Sequence, residues 1–372
     1  MSSARPALSR RARFPSRRGL RSRAAGRAPR TLRLAPHRSL LRRGPSSRQL
    51  GLDPRTALVV DDLPPPLARL LDELVAPVDR DGLTARAVAR GAGRKEVDDL
   101  LGRLVDVGAL VDAAGPERIA RLRAGTVIAI VGDGPLATGT ALGLALAGVG
   151  TVRLEAGVGG LVRESDLGTG LLDGDRGRSR AEAIVDAVRR VAPDVAVGER
   201  PGRSAPDVCV LADAAAPDPA RVAALHRDTV THLPVRLRDG TGVVGPLVLP
   251  GRSACLACVE LHRRSRDPDW PAVTAQLVNR TGEGDAATAT ATAALAVAQV
   301  LAALDGAAGA AGAADSARSG TGGPPVLGAT LEIDLRSGVL LRRPWPAHPG
   351  CTCGAPPVET CGQREGRETI MR

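Results

Sequence analysis

The feature that most restricts the fold is an uninterrupted apolar run at residues 126–131, followed directly by the hexapeptide GDGPLA at 132–137. Such a run is typical of a strand that is buried on both faces. A second predicted strand, TVRLE at 151–155, ends in an acidic residue about 20 positions after the turn. This arrangement predicts a βαβ unit of the dinucleotide-binding type. Its candidate cofactor-binding residues are Gly132, Gly134 and Glu155.

The near-absence of aromatic side chains limits both the core and the possible ligands. Only Phe14, Trp270 and Trp345 are aromatic among 372 residues, and the chain has no tyrosine. The core must therefore consist of Ala, Val and Leu, and 43% hydrophobic residues suffice to build one in each of two domains. Single-stranded nucleic acid is usually held by stacking on aromatic rings, and this chain offers almost none.

The positive charge is concentrated at the amino terminus. Residues 1–50 contain 15 arginines and no Asp, Glu or Lys, so the rest of the chain is mildly acidic although the whole carries +11. We expect these residues to form a disordered Arg-rich tail, because their composition buries too little apolar surface to offset the entropy of ordering. A transit peptide, an extension absent from the mature protein, or a nucleic-acid-binding arm would have the same composition.

Residues 51–115 show three helical patterns followed by a short apolar run. Apolar residues recur at helical spacing in 67–75 and in 97–105, and a shorter helix fits 84–90 with Thr84 as its N-cap. Three helices and a short strand predict a small winged-helix-like domain. Acidic side chains outnumber basic ones on the third helix, which disfavours DNA binding. Peptide recognition is the preferred hypothesis, and a plain packing domain is the alternative.

Five segments within residues 120–360 share a pattern with a known family. They are SDL at 165–167, GRSRAEA at 177–183, VRRVAP at 188–193, the apolar run at 207–211 and GPLVLPG at 245–251. Together they resemble adenylating enzymes of the ThiF/MoeB type, relatives of ubiquitin-activating enzyme. The resemblance covers roughly residues 120–360 and implies an α/β, Rossmann-like ThiF-type domain with a zinc knuckle, which usually pairs as a homodimer.

A narrower resemblance rests on the motif around the first cysteine pair. The stretch CLACVELHR at 255–263 and RDPDWP at 266–271, joined to a helical amino-terminal domain, resembles actinobacterial TOMM precursor leader peptide-binding proteins, the partners of cyclodehydratases. In that group a winged-helix element captures the leader of a ribosomal peptide, and a YcaO-type partner forms the azolines with ATP. The resemblance implies a bacteriocin-type thiazole/oxazole biosynthesis protein with both of these partners.

The adenylation motifs depart from the family pattern at several positions. Asp133 and Pro135 stand in the glycine-rich loop, Thr169 and Gly170 replace an Arg-Gln pair, and Arg180 replaces the family lysine. The D-x-x-D-N stretch is reduced to the surroundings of Asp213. Because phosphoryl-type chemistry depends on positioned charges, these losses predict a scaffold that no longer adenylates, so that ATP binding is doubtful.

Two other functions fit parts of the sequence. An active adenylyltransferase acting on the C-terminal glycine of a sulfur-carrier protein would use Arg180 and Asp213 as its catalytic residues. A winged-helix DNA-binding regulator would use the basic tail. Whether the chain is an enzyme is therefore left open by the sequence.

Four of the six cysteines form two close pairs. Cys255 and Cys258 are spaced C-x-x-C, and Cys351 and Cys353 are spaced C-x-C about 90 residues later. Four thiolates suit a structural tetrahedral Zn2+ ion. The second spacing is unusual, so His348 or Cys361 could replace one ligand, and free thiols or a redox pair are the alternatives.

The remaining cysteine and histidines predict packing roles. Cys209 lies in an apolar run and is expected to be an inert core residue. His226, His232 and His262 have no catalytic or metal-binding spacing. Unpaired thiols without an export signal indicate a reducing compartment, and we expect the cytoplasm.

The apolar segment 286–304 is long enough to span a bilayer, but its Ala and Thr content with Gln299 predicts a buried helix and no membrane partner. A flexible Gly/Ala/Ser loop is expected at 306–325, a strand at 331–335 and a short tail at 361–372.

Overall fold

The computed structural model describes residues 11–13, 29–155, 159–198, 205–278, 280–307 and 323–356. The chain divides into two compact units. The first comprises Met1–Ile119, and the second comprises Ala120–Ala307 and Gly323–Arg372.

The first unit contains two small sheets and three helices packed on them. Its strands are β1 (Arg11–Arg13), β2 (Thr31–Leu34), β3 (Leu40–Gly44), β4 (Ser47–Leu50), β5 (Leu58–Asp61), β6 (Val78–Asp79) and β7 (Leu110–Asp112). Its helices are α1 (Pro65–Asp72), α2 (Arg80–Ala89) and α3 (Arg94–Asp106), and α4 (Gly115–Ala124) leads into the second unit. The strand orders are β1-β5-β4-β3 and β6-β2-β7.

The prediction of a disordered tail is wrong for residues 29–50. Strand β2 is the centre of an antiparallel three-stranded sheet, and Leu32 and Leu50 are fully buried. Leucines at alternating strand positions form the buried face. The many arginines between them make the overall composition resemble that of a disordered tail. One of them, Arg48, is itself buried and donates two hydrogen bonds, of 2.8 and 2.9 Å, to the Asp72 carboxylate. Residues 1–10 and 14–28 lie outside the described residues.

The three predicted helices are present, with one change in capping. The pattern at 67–75 forms α1 and a following 3-10 turn, Glu73–Val75, and the pattern at 97–105 lies within α3. Helix α2 begins four residues before Thr84, because the Asp79 carboxylate accepts a hydrogen bond from the Gly82 amide (2.7 Å) and serves as the N-cap. Thr84 is inside the helix, where its hydroxyl donates to the Arg80 carbonyl (2.9 Å).

The second unit is built on one mixed sheet of eight strands. These are β8 (Val127–Val131), β9 (Thr151–Glu155), β10 (Ala196–Val197), β11 (Val208–Ala212), β12 (Thr231–Arg238), β13 (Thr241–Val244), β14 (Ala329–Asp334) and β15 (Val339–Pro344). Their order is β10-β9-β8-β11-β12-β13-β14-β15. The first five strands pair in parallel, and the last three are joined by antiparallel pairing. The carboxyl ends of the five parallel strands therefore lie at the same end of the sheet.

Helices cover both faces of this sheet. They are α5 (Pro135–Leu146), α6 (Arg180–Val191), α7 (Pro219–Arg227), α8 (Leu256–Arg266), α9 (Trp270–Ala275) and α10 (Ala286–Ala307). The predicted βαβ unit is confirmed as β8-α5-β9, and the strand predicted at 331–335 is β14. Residues 308–322 of the predicted flexible loop, and the tail at 361–372, lie outside the described residues.

The apolar helix α10 packs against α5 through small residues. A Cβ on Gly139 would lie 2.8 Å from the Cβ of Ala293, and one on Gly143 would lie 2.7 Å from Cγ2 of Val297, so only glycine allows this approach. By length and composition Ala286–Gly306 passes as a membrane span, yet Ala289, Ala296 and Val300 belong to the main core cluster. This packing agrees with the predicted core helix.

Candidate functional site

The turn after β8 packs closely against the carboxylate of Asp213, the residue that follows β11. A Cβ on Gly134 would lie 2.7 Å from Oδ1 of Asp213, and one on Gly132, where φ is +140°, would lie 2.8 Å from the Ala212 carbonyl oxygen. Both candidate glycines are therefore required by the approach of β11 and Asp213. Both glycines lie against Ala212 and Asp213 of the protein itself, and their role in cofactor binding stays a prediction.

Asp213 accepts hydrogen bonds from the start of α5. Its carboxylate receives the amides of Gly134 (2.9 Å), Leu136 (2.9 Å) and Ala137 (3.3 Å). The N-terminus of a helix is the usual anion-binding position of this fold, because its first amides have no partner within the helix. Pro135 contributes no amide there. The residues present do not fit a phosphate group at this turn, since an internal carboxylate already uses these donors.

The Asp213 side chain is buried, and its backbone has φ of +69°, where its amide donates to the Val235 carbonyl (3.0 Å). Burial raises the pKa of Asp213 to about 6, the backbone amides lower it, and the neighbouring Asp133 carboxylate raises it.

A cleft beside the turn contains the other predicted residues. Gly132, Asp133 and Glu155 line it together with Ser179 and Ile184. The Asp133 carboxylate accepts the Gly159 amide at 2.7 Å. The structure therefore brings Gly132 and Glu155 together in one cleft, and Gly134 lies in the adjoining turn.

The charged groups of this cleft are paired with one another. Arg180 donates two hydrogen bonds to Asp166, of 2.9 and 3.1 Å, and its third nitrogen lies 3.9 Å from Asp133. Glu155 forms ion pairs with Arg153 (2.8 Å) and with Arg221. The pairing of Arg180 with Asp166 was not predicted, although the segment SDL that contains Asp166 had been singled out.

Thr169 and Gly170, which replace the Arg-Gln pair of the ThiF/MoeB pattern, pack against helix α5. Gly170 has φ of +135°, and a Cβ there would lie 2.7 Å from a Leu142 methyl carbon. Thr169 is buried, and its hydroxyl has no partner. Neither residue supplies a cation to the cleft.

The four paired cysteines converge on one point. The Sγ atoms of Cys255 and Cys258 are 3.8 Å apart, those of Cys255 and Cys351 3.7 Å, and those of Cys258 and Cys353 3.6 Å. All four lie within 4.8 Å of one another. A zinc ion about 2.3 Å from each of four sulfurs places neighbouring sulfurs about 3.8 Å apart, so the geometry fits a tetrahedral metal site.

The alternative ligands are not part of this cluster. Nδ1 of His348 accepts the Gly350 amide (3.0 Å), and its ring packs edge-on against His262 at 4.8 Å between centroids. Cys361 lies outside the described residues. Cys255 precedes α8, Cys258 is in its first turn, and the second pair follows β15, so a metal would fasten the segment after β15 to α8.

Cys209 and the histidines match their predicted packing roles in part. Cys209 is fully buried in β11, and burial raises the pKa of its thiol to about 12, which makes it unreactive. His232 is buried, with Nδ1 2.9 Å from the Val230 carbonyl, and burial lowers its pKa. Nε2 of His262 lies 3.0 Å from the Pro346 carbonyl oxygen.

No protein-family model matches the sequence, and no curated protein is similar to it at a significant level. Solved structures share its fold. E. coli MccB with ATP superposes with a TM-score of 0.64 at 13% identity, over 87% of this chain and 99% of that one. The microcin C7 biosynthetic enzyme MccB in complex with N-formylated MccA gives the same score and identity over 87% and 100%. PaaA gives 0.54 at 19%, over 83% and 98%.

At these identities the likeness concerns the fold. It confirms the α/β architecture expected from the ThiF/MoeB resemblance.

Proposed function

We propose that this chain is a precursor-recognition protein of ribosomal peptide biosynthesis that binds a leader peptide and does not adenylate it. The observation that carries the proposal is the Asp213 carboxylate on the amides of Gly134, Leu136 and Ala137. A nucleotide phosphate at this turn would meet a carboxylate where it needs donors. Arg180 is similarly engaged by Asp166 and is not free to balance phosphate charge.

Peptide binding is assigned to the first unit, which we interpret as the winged-helix-like recognition domain. Strand β7 lies at an edge of the sheet β6-β2-β7, and an extended peptide can extend such an edge by backbone hydrogen bonds. MccB, which shares the fold over most of this chain, has been solved in complex with MccA, and this supports a peptide ligand.

The charges of the first unit support a peptide ligand over DNA. On α3, Lys95 is paired with Asp99 at 3.0 Å, and Asp98 lies 3.7 Å from Arg80. Basic side chains that are already paired within the protein release few counterions from a phosphate backbone. The DNA-binding alternative therefore has little support from the described residues.

In this proposal the second unit is a scaffold that holds structural zinc through Cys255, Cys258, Cys351 and Cys353 and docks a YcaO-type cyclodehydratase. The sulfur distances support the metal, and the resemblance of 255–271 supports the partner enzyme. The protein would work in the cytoplasm, where the thiolates stay reduced, and as a possible homodimer.

The deciding experiment is a calorimetric titration of Mg-ATP into the zinc-loaded full chain. The full chain is needed because a truncation at residue 51 would remove β2, the central strand of the first unit's second sheet. No detectable heat supports the proposal. Micromolar binding would favour the active adenylyltransferase, for which Glu155 and its cleft are the remaining support.

A second titration addresses the peptide. Precursor peptides from neighbouring reading frames should bind the full chain, and a Leu32→Asp variant, which places a charge in the core of the first unit, should lose this binding while keeping its zinc. Absence of binding by every candidate precursor would contradict leader recognition.

A further inference from the structure

Arg236 is a buried cation without a partner. It lies on β12 and is 7% exposed, and within the part of the chain that the structure describes it forms no hydrogen bond or ion pair. Leu233, Val235 and Leu237 of the same strand join the core with α5 and α10, so Arg236 points to the opposite face of the sheet. Its side-chain nitrogens have no hydrogen-bond partner in the described chain, yet none of them is among the fully buried unpaired atoms. Each nitrogen therefore keeps some contact with solvent.

The first carboxylate near Arg236 is held by other donors. Glu260 on α8 accepts Nε1 of Trp270 at 2.5 Å and the Thr274 hydroxyl at 3.3 Å, and its second oxygen accepts Nη1 of Arg263 at 2.9 Å. Three donors thus use both oxygens of this carboxylate.

The second nearby carboxylate is committed in the same way. Glu332 on β14 is buried, and it accepts Arg238 at 2.8 Å and Arg343 at 2.9 Å. One carboxylate is thus shared by two guanidinium groups, and neither of these contacts is with Arg236.

Arg236 therefore has no direct hydrogen-bond or ion-pair partner among the described residues, and its charged neighbours are two arginines and two carboxylates that are bonded to other groups. Burial lowers its pKa to about 10, and Arg263 and Arg238 lower it further, while Glu260 and Glu332 raise it. It remains protonated at neutral pH. A buried charge without a hydrogen-bonding partner costs several kcal/mol, and a ligand that supplied the partner would offset part of this cost.

Both tryptophans of the chain lie beside the neighbouring guanidinium of Arg263. The Cζ atom of Arg263 is 5.0 Å from the ring centroid of Trp270 and 5.6 Å from that of Trp345. Trp345 is 5% exposed and donates through Nε1 to the Thr330 hydroxyl at 3.2 Å. The rings position the Arg263 guanidinium by cation–π contact.

We propose that Arg236, positioned beside Arg263, binds a single carboxylate group of a peptide ligand in the second unit. One unpaired guanidinium matches one negative charge, and its planar donors suit the two oxygens of a carboxylate better than a multiply charged phosphate. The carboxylate can come from a peptide C-terminus or from an acidic side chain. This site goes beyond the proposed leader recognition, which is assigned to the first unit.

Intrinsic fluorescence of the full chain reads this site directly, since Trp270 and Trp345 are the only tryptophans and there is no tyrosine. The probes are N-acetylglycine for a terminal carboxylate, the α-amide of N-acetylaspartate for a side-chain carboxylate, N-acetylglycinamide and inorganic phosphate. We expect a saturable change with one or both carboxylates, and the stronger of the two identifies the source.

Arg236→Gln should weaken that response at least tenfold, because a charge-assisted hydrogen bond is lost. The matched control is Arg264→Gln, which removes the same charge from an exposed position on α8 and should leave the response unchanged. No response to either carboxylate, an equal response to the amide, a stronger response to phosphate, or an unchanged response in Arg236→Gln would overturn the proposal.

Thermal unfolding provides a second readout if the glutamine variant folds poorly. Arg236→Met removes an unpaired buried charge, so its midpoint should rise above that of the parent, and N-acetylglycine should no longer raise it. A lower midpoint for Arg236→Met would mean that Arg236 has a structural partner, and would contradict the site. Failure of leader binding in the first unit would leave these fluorescence results unaffected.

Discussion

The second unit contains two places where the chemistry of this fold is expected, and they differ in whether their polar atoms are available. At the cysteine cluster, four Sγ atoms converge at separations that suit a metal. At the turn after β8, three amides converge as well, but Asp213 accepts all of them. The difference between the two places is that the amides at the turn are already bonded within the protein, whereas the sulfur atoms are spaced for a metal ion.

The largest expected effect comes from the cysteine cluster. Cys258→Ser should lose the bound metal and several kcal/mol of stability, because structural zinc sites contribute much of the folding free energy of small metal domains. The matched control is Cys209→Ser, which alters an equally buried thiol outside the cluster and should keep one metal ion per chain. Metal analysis and thermal unfolding with and without a chelator check this, and equal metal contents in the two variants would refute the metal site.

The Asp213 carboxylate predicts a specific pH dependence. Its pKa in the folded state is raised to about 6 from the ordinary value of 3.8, so the folded state favours the protonated form. Its contribution to stability is therefore complete below about pH 4 and is lost as pH rises through about 6, a change on the order of 3 kcal/mol. Denaturant unfolding of the parent and of Asp213→Asn from pH 4 to 7 measures it.

The sign of that difference is decisive. The parent should lose stability relative to Asp213→Asn as pH rises, since the asparagine cannot ionise. A relative gain of the parent would show that the amides of α5 hold a fully charged carboxylate, with a lowered pKa, and that the turn binds its internal anion more strongly than burial opposes it.

Removing the Asp213 carboxylate tests directly whether it is what keeps an external anion from the turn. Asp213→Gly removes the carboxylate and suits the backbone φ of +69°, so it should free the amides of Gly134, Leu136 and Ala137 at a cost of about 2 kcal/mol. We expect this variant to bind pyrophosphate where the parent does not. Calorimetry measures this binding.

The control for this variant is Asp239→Gly, the same replacement at an exposed residue with φ of +50°. It should change neither stability nor pyrophosphate binding by much. Equal pyrophosphate binding by the parent and by Asp213→Gly would show that Asp213 does not block the turn.

Local patterns predicted what lies close in sequence, and non-local contacts decided the rest. The strand, turn and helix around Gly132 are encoded within 30 residues, and the cysteine pairs mark themselves by spacing. That Asp213 reaches back 79 residues to Gly134 has no local signal. Strand β2 was not predicted because residues 1–50 are rich in arginine, and this composition conceals the buried Leu32. Its partner strand β7 is also distant in sequence, so no local pattern marks the pairing.

The smallest expected effect concerns Arg180, and it tests whether this cation belongs to the scaffold or to a ligand site. Arg180 donates two hydrogen bonds to Asp166, whose side chain is only 4% exposed, so Arg180→Ala should lower stability by about 1 kcal/mol without changing Mg-ATP titrations. Arg189→Ala on the same helix removes a 62% exposed arginine whose ion pair spans 3.9 Å, and it should change stability by less than about 0.5 kcal/mol. If Arg180→Ala instead abolished a nucleotide signal present in the parent at unchanged stability, its partner would be a phosphate and the cleft would be catalytic. Denaturant unfolding and calorimetry on these two variants separate the outcomes.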